Sequence, residues 1–277
     1  MKNLETTDKK KITTDKKKIT NDKYFGELRE NKKELYKHYI YPTITLLTLF
    51  ALWQVIVVKI KVPGYVLPSP VDIIEKLIED RDLLFMHSKV TLIEAGLGLI
   101  ISLIFAMFSG FIMDFFPIVR KCFYPLLYMT QMIPTITIAP LLLIWFGFGI
   151  HSKVLCVILT CFFPILVTFM DGMENIDNDY LNLFRIMKSS KLKTFIHLKF
   201  PMSMDKFLSG IKMSSTYAFI AATVSEWLGG TAGLGVYMVR AKSAYALDKV
   251  FASTLLIIVF SLFFVGLFTV IKKIIIK

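Results

Sequence analysis

The sequence has little cysteine and little histidine, and neither residue type is grouped. Its three cysteines, Cys122, Cys156 and Cys161, lie in or beside apolar runs and form no CxxC pair. An odd number without a close pair predicts no disulfide framework, so we expect small buried apolar side chains. The four histidines are scattered over loops and span edges, and none stands four residues from another histidine or from a cysteine. A metal site is therefore not expected.

Motifs for nucleotide hydrolysis and covalent catalysis are also missing. No GxxxxGK[ST] motif occurs in the chain, and the glycine-rich run Gly229–Gly235 is not followed by Lys-Ser or Lys-Thr. The chain has no nucleophile elbow, no HExxH zinc motif and no carboxylate pair placed to share a proton. We therefore predict that the chain is not an enzyme, needs no cofactor and does not hydrolyse ATP itself.

Long hydrophobic runs, in contrast, dominate the sequence. Of the 277 residues, 55% are hydrophobic and 24 are Phe, and the mean hydropathy is +0.60. A helix needs about 20 apolar residues to cross about 30 Å of hydrocarbon. We therefore predict an all-α membrane protein with six transmembrane helices. The predicted spans are 40–58, 90–115, 124–148, 154–169, 207–228 and 250–271.

Positive charge is distributed unevenly between the two sides that these six spans define. Of the 33 Lys and Arg residues, 23 lie on one side: before the first span, after the last span, near Arg120 or in the polar segment 171–206. Nine lie in the loops on the opposite side. Because basic residues sort to the cytoplasmic side, both termini and the 171–206 segment are predicted to be cytoplasmic. The net charge of +12 therefore predicts contact with membrane lipid and no nucleic-acid partner.

Two regions outside the spans have readable patterns. Segment 1–38 is Lys-rich and repeats TTDKKKI at 6–12 and 13–19, which predicts a disordered basic tail ahead of a transmembrane domain at 39–277. A membrane anchor or a nucleic-acid arm is the alternative for this tail. Further along, Leu67-Pro68-Ser69-Pro70 precedes an amphipathic stretch. Ser69 can cap a helix that begins at Pro70 and lies against the bundle.

Polar residues inside the third and fifth spans distinguish them from the other four. Pro134 and Pro140 each remove a backbone hydrogen bond, which neighbouring helices or water must replace, although simple kinks would also explain them. Small residues in the fifth span favour close helix packing, whereas Glu226 is an ionisable group that must face protein or water. We predict that a polar translocation path is lined by Gln131, Pro134, Thr135, Thr137, Ser215, Thr223 and Glu226.

The 171–206 segment is the longest charged stretch between the predicted spans. Residues 179–187 have the pattern of a short amphipathic helix, and Ser190 can cap a second helix. That helix is expected to end near Phe200, because the residue before Pro201 disfavours helical backbone. A docking surface for another protein is predicted from a basic rim and four apolar side chains, the apolar knobs Tyr180, Leu183, Phe184 and Met187. The alternative is a loop that covers its own bundle.

The sequence LNLFRIMKSSKLKTFIHLKFP, followed by FLSGIK, resembles the coupling loop of inner-membrane permeases of binding-protein-dependent ABC importers. In that family a Glu-Ala-Ala run, a Gly and a Leu-Pro form the surface that inserts into a cleft of the ATPase. These positions are filled here by Asn182-Leu183-Phe184, Lys188 and Phe200-Pro201. The resemblance implies that coupling residues are Asn182, Leu183, Phe184, Arg185, Met187, Lys188, Ser189, Ser190, Pro201 and Gly210. Lys188 departs from the family, because glycine takes a left-handed turn conformation more freely.

Other motifs extend this resemblance over about residues 40–275. The stretches LPSP at 67–70, WFG at 145–147 and SEWLGGTAGLG at 225–235 are similar to the branch with nitrate, sulfonate and taurine permeases. The EWLG form at 226–229 looks most like members assigned to thiamine-pyrimidine precursors or riboflavin.

The resemblance implies a type I ABC importer permease fold in a bacterial inner membrane. It also implies a homodimer of permeases, a separate ABC ATPase that binds ATP, and an extracytoplasmic solute-binding protein. The expected solute is small and polar or anionic, resembling nitrate, a sulfonate, taurine or a thiamine-pyrimidine precursor. The alternative function is a non-transport membrane scaffold or receptor whose cytoplasmic loop docks a partner.

Overall fold

The computed structural model describes residues 40–276, so the predicted disordered tail at 1–38 lies outside the described residues. Within 40–276 the chain is helical and has no strand, as the apolar runs predict. The chain divides after Lys61 into two units. The described part of the first unit contains α1 (Ile40–Ile60), a helix that is apolar and long enough to cross a membrane.

The second unit is a helical bundle with short helices at both ends. Helices α3, α6, α9 and α11 pack together, and α5 lies against α6 and α9. We call the two ends of this bundle the α10 end and the α7 end, after the short helix found at each. The helices are α2 (Pro70–Glu79), α3 (Arg81–Phe115), α4 (Pro117–Thr130), α5 (Thr135–Phe146), α6 (Ile150–Glu174), α7 (Asn178–Ile186), α8 (Lys191–Thr194), α9 (Phe200–Gly229), α10 (Leu234–Ser243) and α11 (Leu247–Ile275).

The predicted third span, 124–148, is not one continuous helix. It is divided between α4 and α5, which meet at an angle of 102°. Pro134 stands at the start of α5 with an extended backbone, φ −61° and ψ 133°. Proline has no N–H with which to continue the ladder of α4, so the chain turns at the four residues 131–134. The predicted span 124–148 is therefore a pair of helices with a sharp break between them rather than one helix.

By length and composition, four helices of the described chain can cross a membrane, and the α4–α5 pair makes five if it is one broken span. The predicted span 207–228 lies in α9, which is 30 residues long but is too polar to pass the same test. Burial inside the bundle, rather than hydrophobicity alone, keeps this helix in place. Most of its serine and threonine side chains are buried against other helices, away from lipid, and several donate to carbonyls of α9 itself.

Small residues bring α9 and α6 into close contact, as the fifth span predicts. The Ser214 hydroxyl donates to the Cys161 carbonyl at 3.2 Å, and the Cys161 thiol donates to the Ser214 carbonyl at 3.4 Å. At Gly210 an added Cβ would overlap the Thr168 hydroxyl. Any larger residue at Gly210 would push α6 and α9 apart. The side chains of Ser214 and Cys161 would then be buried without hydrogen-bond partners.

The predicted helix cap before α2 is present. The Asp72 N–H donates to Ser69 Oγ at 3.3 Å, and the Ser69 N–H donates to Asp72 Oδ2 at 2.9 Å. This reciprocal pair is a capping box, which satisfies two of the donors that a helix start leaves open. Pro70 occupies the first helical position, where its missing N–H costs nothing.

At the α10 end, one carboxylate joins three elements. Asp80, between α2 and α3, accepts hydrogen bonds at Oδ2 from Tyr237 Oη at 2.7 Å and from Lys249 Nζ at 2.9 Å. Burial disfavours the ionised carboxyl, but the bonds from Lys249 and Tyr237 outweigh it and hold the pKa of Asp80 below its ordinary value. Burial and the hydrogen bond to Asp80 raise the pKa of Tyr237.

We expect Asp80→Asn to lower the free energy of unfolding by about 2 kcal/mol at pH 7, because charged hydrogen bonds to Lys249 and Tyr237 are lost. Since the folded pKa of Asp80 lies below the unfolded value of about 3.9, this stabilisation is present above pH 4. It is lost as the pH falls through the folded pKa. Thermal unfolding of detergent-purified protein from about pH 3 to about pH 7, a range that spans the ordinary carboxyl pKa, measures both effects.

Asp82→Asn is the matched control, because Asp82 lies two residues away with a fully exposed side chain at 97%. Its substitution should change the unfolding temperature little. Equal melting of Asp80→Asn and wild type at pH 7 would contradict the role of Asp80.

Candidate functional site

A groove of about 530 Å³ opens beside the break between α4 and α5. Its walls come from the end of α4, the start of α5, and the facing sides of α6 and α9. Its volume is in the range that holds a small organic solute. None of the described residues that line it is charged. The polar and aromatic side chains at its wall are Thr130, Gln131, Thr135, Thr160, Phe163 and Tyr217.

Most hydroxyls of the groove are already bonded to the protein. Thr135 and Thr160 share a hydrogen bond of 3.2 Å between their Oγ1 atoms, and Thr160 also donates to the Cys156 carbonyl at 2.8 Å. The amide of Gln131 is exposed at the end of α4. It makes no side-chain hydrogen bond to another residue in the described part of the chain. Its neighbouring acceptor and donor are therefore available to a solute.

A second polar site, the polar cluster of Thr91, Glu94, Lys153 and Glu226, is buried near the α10 end. The Thr91 hydroxyl donates to Glu226 Oε1 at 2.7 Å, and the Gly235 N–H donates to Glu226 Oε2 at 2.5 Å. Lys153 Nζ lies 3.1 Å from Glu94 Oε1. All four cluster side chains are nearly inaccessible to solvent. These ionisable groups are therefore held by each other and by backbone donors rather than by water.

The glycine-rich loop before α10 folds around the Glu226 carboxylate. The Leu234 N–H donates to Thr91 Oγ1 at 2.8 Å, and the Gly233 N–H lies 3.0 Å from His87 Nδ1, which accepts. Gly233 has φ +122°, a conformation that suits glycine, and an added Cβ would overlap the Glu226 carboxyl. The loop thus joins α10 to α3 and α9 through one buried carboxylate.

The seven residues predicted for the translocation path are not all brought together. Gln131 and Thr135 line the groove, whereas Pro134 and Thr137 are nearby but are not part of its wall. Glu226 lies in the polar cluster. The last two residues, Ser215 and Thr223, are buried and donate to carbonyls of their own helix.

Sequence reasoning missed the groove residues of α6 and α9 and the buried pair Glu94–Lys153. Thr160 stands alone in an apolar run, and Tyr217 follows the polar residues 214–216 with no spacing that points toward α6, so no local pattern marks them as groove residues. A signal for the ion pair did exist. Glu94 is a lone acid inside the predicted span 90–115, and Lys153 is a lone base directly before the predicted span 154–169. Opposite charges in two spans predict a pair, because each is expensive without the other.

In the 171–206 segment, α7 presents an exposed apolar surface. None of its residues is buried, and the exposed fractions are 51% for Leu183, 79% for Ile186 and 68% for Met187. Phe184 is half-buried. Three of the four predicted knobs, Tyr180, Leu183 and Met187, therefore lie on the surface, and only Phe184 is partly covered.

Lys188 adopts the left-handed conformation in which the related coupling loops have glycine. Its φ is +51°. The Ser189 N–H donates to the Phe184 carbonyl at 3.0 Å, and the Lys188 N–H donates to the Arg185 carbonyl at 2.9 Å. This pair of bonds is a Schellman motif that ends α7. The tight turn is kept at a cost of about 1 kcal/mol, which a non-glycine residue incurs there.

The second helix of the segment begins as predicted but does not end near Phe200. Ser190 caps α8 through the Lys193 N–H at 3.3 Å. A π-helical turn, Phe195–Lys199, then leads into α9 without a break, and the Phe200 N–H bonds the Phe195 carbonyl. The wider turn makes room for the ring of Pro201, which would otherwise strike a carbonyl four residues earlier. The prediction of a helix end here was wrong for this reason.

Two residues predicted for coupling therefore belong to α9. Pro201 is exposed in its first turn. Gly210 is buried where α9 meets α6.

We expect Gly233→Ala to lower the free energy of unfolding by about 2–3 kcal/mol, because alanine is strained at φ +122° and its Cβ displaces the Glu226 carboxylate. Thermal unfolding of purified protein measures the loss. Gly96→Ala is the control, since a Cβ there meets nothing within 4 Å and alanine favours the helix. The role of the loop would be contradicted if both variants melted like wild type.

Comparisons with known proteins agree with this architecture. The family described as binding-protein-dependent transport system inner membrane component matches residues 98–277. The formylaminopyrimidine transport permease protein ThiX of Halalkalibacterium halodurans is 35% identical over 233 residues, covering 84% of this chain and 92% of the relative. A probable ABC transporter permease protein of Haemophilus influenzae is 32% identical over 221 residues, covering 80% and 90%. The putative aliphatic sulfonates transport permease SsuC of Bacillus subtilis is 28% identical over 211 residues, covering 75% and 76%.

Two solved structures share the fold at low sequence identity. An amino acid ABC transporter crystallised with histidines superposes with a TM-score of 0.60 and 14% identity, covering 72% of this chain and 96% of that one. The inward-facing MetNI methionine ABC transporter superposes with a TM-score of 0.57 and 12% identity, covering 70% of this chain and 94% of that one. The predicted type I permease fold is confirmed. The chain therefore belongs to the family of inner membrane components of binding-protein-dependent transport systems, as the permease subunit of an ABC importer.

Proposed function

We propose that this permease moves a small, uncharged polar heterocycle of the formylaminopyrimidine kind into the cytoplasm, driven by ATP that a separate subunit binds and hydrolyses. The observation that carries the choice of solute is the uncharged wall of the groove. Removing an anion from water without a cationic partner is expensive. The formylaminopyrimidine permease, at 35% identity, supports the same choice over the sulfonate permease, at 28%.

The groove offers contacts that suit a flat heterocycle. The Gln131 amide has a donor beside an acceptor, the pattern with which glutamine reads the edge of adenine. Phe163 and Tyr217 add aromatic surface at the same wall. The buried cation Lys153 is already paired with Glu94, so it is not available to an anionic solute.

The proposed topology places both termini and the 171–206 segment in the cytoplasm, and the tail 1–38 is proposed to be disordered there. The charge distribution supports this orientation. The exposed apolar knobs of α7 suit insertion into a cleft of an ABC ATPase, with Arg185 and Lys188 at the rim. The chain itself is proposed to bind no cofactor.

In the proposed cycle, two permease copies pair, and each docks one ATPase. An extracytoplasmic binding protein delivers the solute. ATP binding closes the two ATPases and draws the docked α7 helices together, and the membrane helices then change from inward-open to outward-open. The chain's own contribution is the docking surface, the groove and the helices that connect them.

We expect Met187→Asp to reduce co-purification of the partner ATPase at least about tenfold, because a carboxylate would be buried unpaired at the centre of the docking surface. Affinity purification of the co-expressed complex from membranes measures this. Met187→Leu is the control and should retain the complex. A complex that survives Met187→Asp with full uptake would place docking elsewhere.

We expect Gln131→Leu to lower uptake of formylaminopyrimidine about tenfold, because the side-chain amide that would bond the edge of the solute is lost, while ATPase co-purification is unchanged. Uptake by proteoliposomes holding the full transporter measures the effect. The control is Thr137→Val, since Thr137 lies on α5 outside the groove wall.

The same assay separates the alternatives. Import of ethanesulfonate at the rate of the pyrimidine would refute the uncharged solute. If no solute moves, a scaffold that docks a partner is the better account. Uptake that is indifferent to both Gln131→Leu and Glu226→Leu would instead place the solute path elsewhere in the permease.

A further inference from the structure

The exposed α7 needs a mechanical link to the membrane helices if docking is to move them. Its own residues are not buried, so its side chains anchor it weakly. On one side it is joined to α6 by the short turn at 175–177. On the other side it continues through α8 into the π-helical turn, Phe195–Lys199.

That π-helical turn is fastened to the last turns of α3. The Phe195 ring is buried and meets Phe111 edge-on, with centroids 4.9 Å apart, and Phe115 at 6.2 Å. Lys199 Nζ lies 2.5 Å from Asp114 Oδ1, and their side chains are 25% and 15% exposed. Apolar contact has no preferred direction, so the rings alone would let the turn slide. The short charged pair fixes its position along α3.

Helix α3 reaches from this contact to the polar cluster. It runs without interruption for 35 residues, which is about 52 Å. Near its other end Thr91 holds Glu226 of α9, and Glu94 holds Lys153 of α6. A shift of α3 at the α7 end is therefore passed to two other helices at the α10 end. Coupling of this kind is carried by packed side chains and rigid helices.

We propose that the Lys199–Asp114 ion pair is the positioning contact that transmits movement of the docked α7 to α3, and so sets how much solute moves per ATP. This inference rests on the proposed function, because it requires that an ATPase docks on α7. The two residues touch neither the groove nor the exposed knobs. Their substitution should therefore leave both docking and solute contact intact.

The test uses the complete transporter, permease with ATPase and binding protein, in proteoliposomes. Uptake of radiolabelled formylaminopyrimidine and phosphate release are measured together. Asp114→Asn and Lys199→Met are expected to retain ATPase co-purification and ATP hydrolysis but to lower solute moved per ATP about fivefold. The reversed pair, Asp114→Lys with Lys199→Asp, is expected to restore at least about half of the ratio.

The control is Asp205→Asn, which removes a second ion pair of the α7 end. Asp205 Oδ1 lies 2.8 Å from Lys272 Nζ, which joins α9 to α11 and not to the π-helical turn. The Asp205→Asn variant should keep the solute moved per ATP within about twofold of the wild-type value. Thermal unfolding of each variant shows whether the fold is kept. If one single variant does not fold, the other and the reversed pair still give the ratio.

Three outcomes would overturn the inference. The first is an unchanged ratio in a folded single variant, and the second is a reversed pair that folds but does not recover. The third is an equal loss in Asp205→Asn, which would indicate general weakening of the α7 end. Failure of the proposed function is seen separately, as a wild-type permease that binds no ATPase or imports no pyrimidine.

Discussion

The close approach of α6 and α9 is the contact on which the rest of residues 62–276 depends. Gly210 has no room for a side chain, and the adjacent Ser214 and Cys161 exchange hydrogen bonds with each other's backbone. A helix as polar as α9 is stable in a membrane only when other helices cover its polar side chains. The packing on α6 supplies that cover, and it also places the groove wall and the polar cluster at defined positions.

Charged groups are then used at the two ends of the bundle for different purposes. At the α10 end, the Glu226 carboxylate is enclosed and organises the glycine-rich loop. At the α7 end, the Lys199–Asp114 pair is partly exposed to solvent and fastens a turn that would otherwise depend on aromatic contact. Burial makes the first arrangement costly to break, whereas partial exposure makes the second weaker and adjustable. A transporter needs both a fixed core and a contact that can transmit motion.

Sequence reasoning succeeded where the pattern is local. The apolar runs predicted the helices, Ser69 and Asp72 predicted a cap that is present, and the spacing around Met187 predicted an exposed amphipathic helix. It failed where backbone geometry depends on more than the neighbouring residues. The chain turns by 102° at Pro134 rather than kinking, and it stays helical through Pro201 because a π-helical turn absorbs the ring.

The sequence by itself determined that the chain is a helical membrane protein without a phosphate-binding motif, and that the segment 171–206 contains an amphipathic helix. Such features follow from composition and from periodicity over a few turns. Only the tertiary structure decided which polar residues meet. Thr91 reaches Glu226 across 135 positions and Lys199 reaches Asp114 across 85. Contacts at that separation are set by how the helices pack, which no local pattern records.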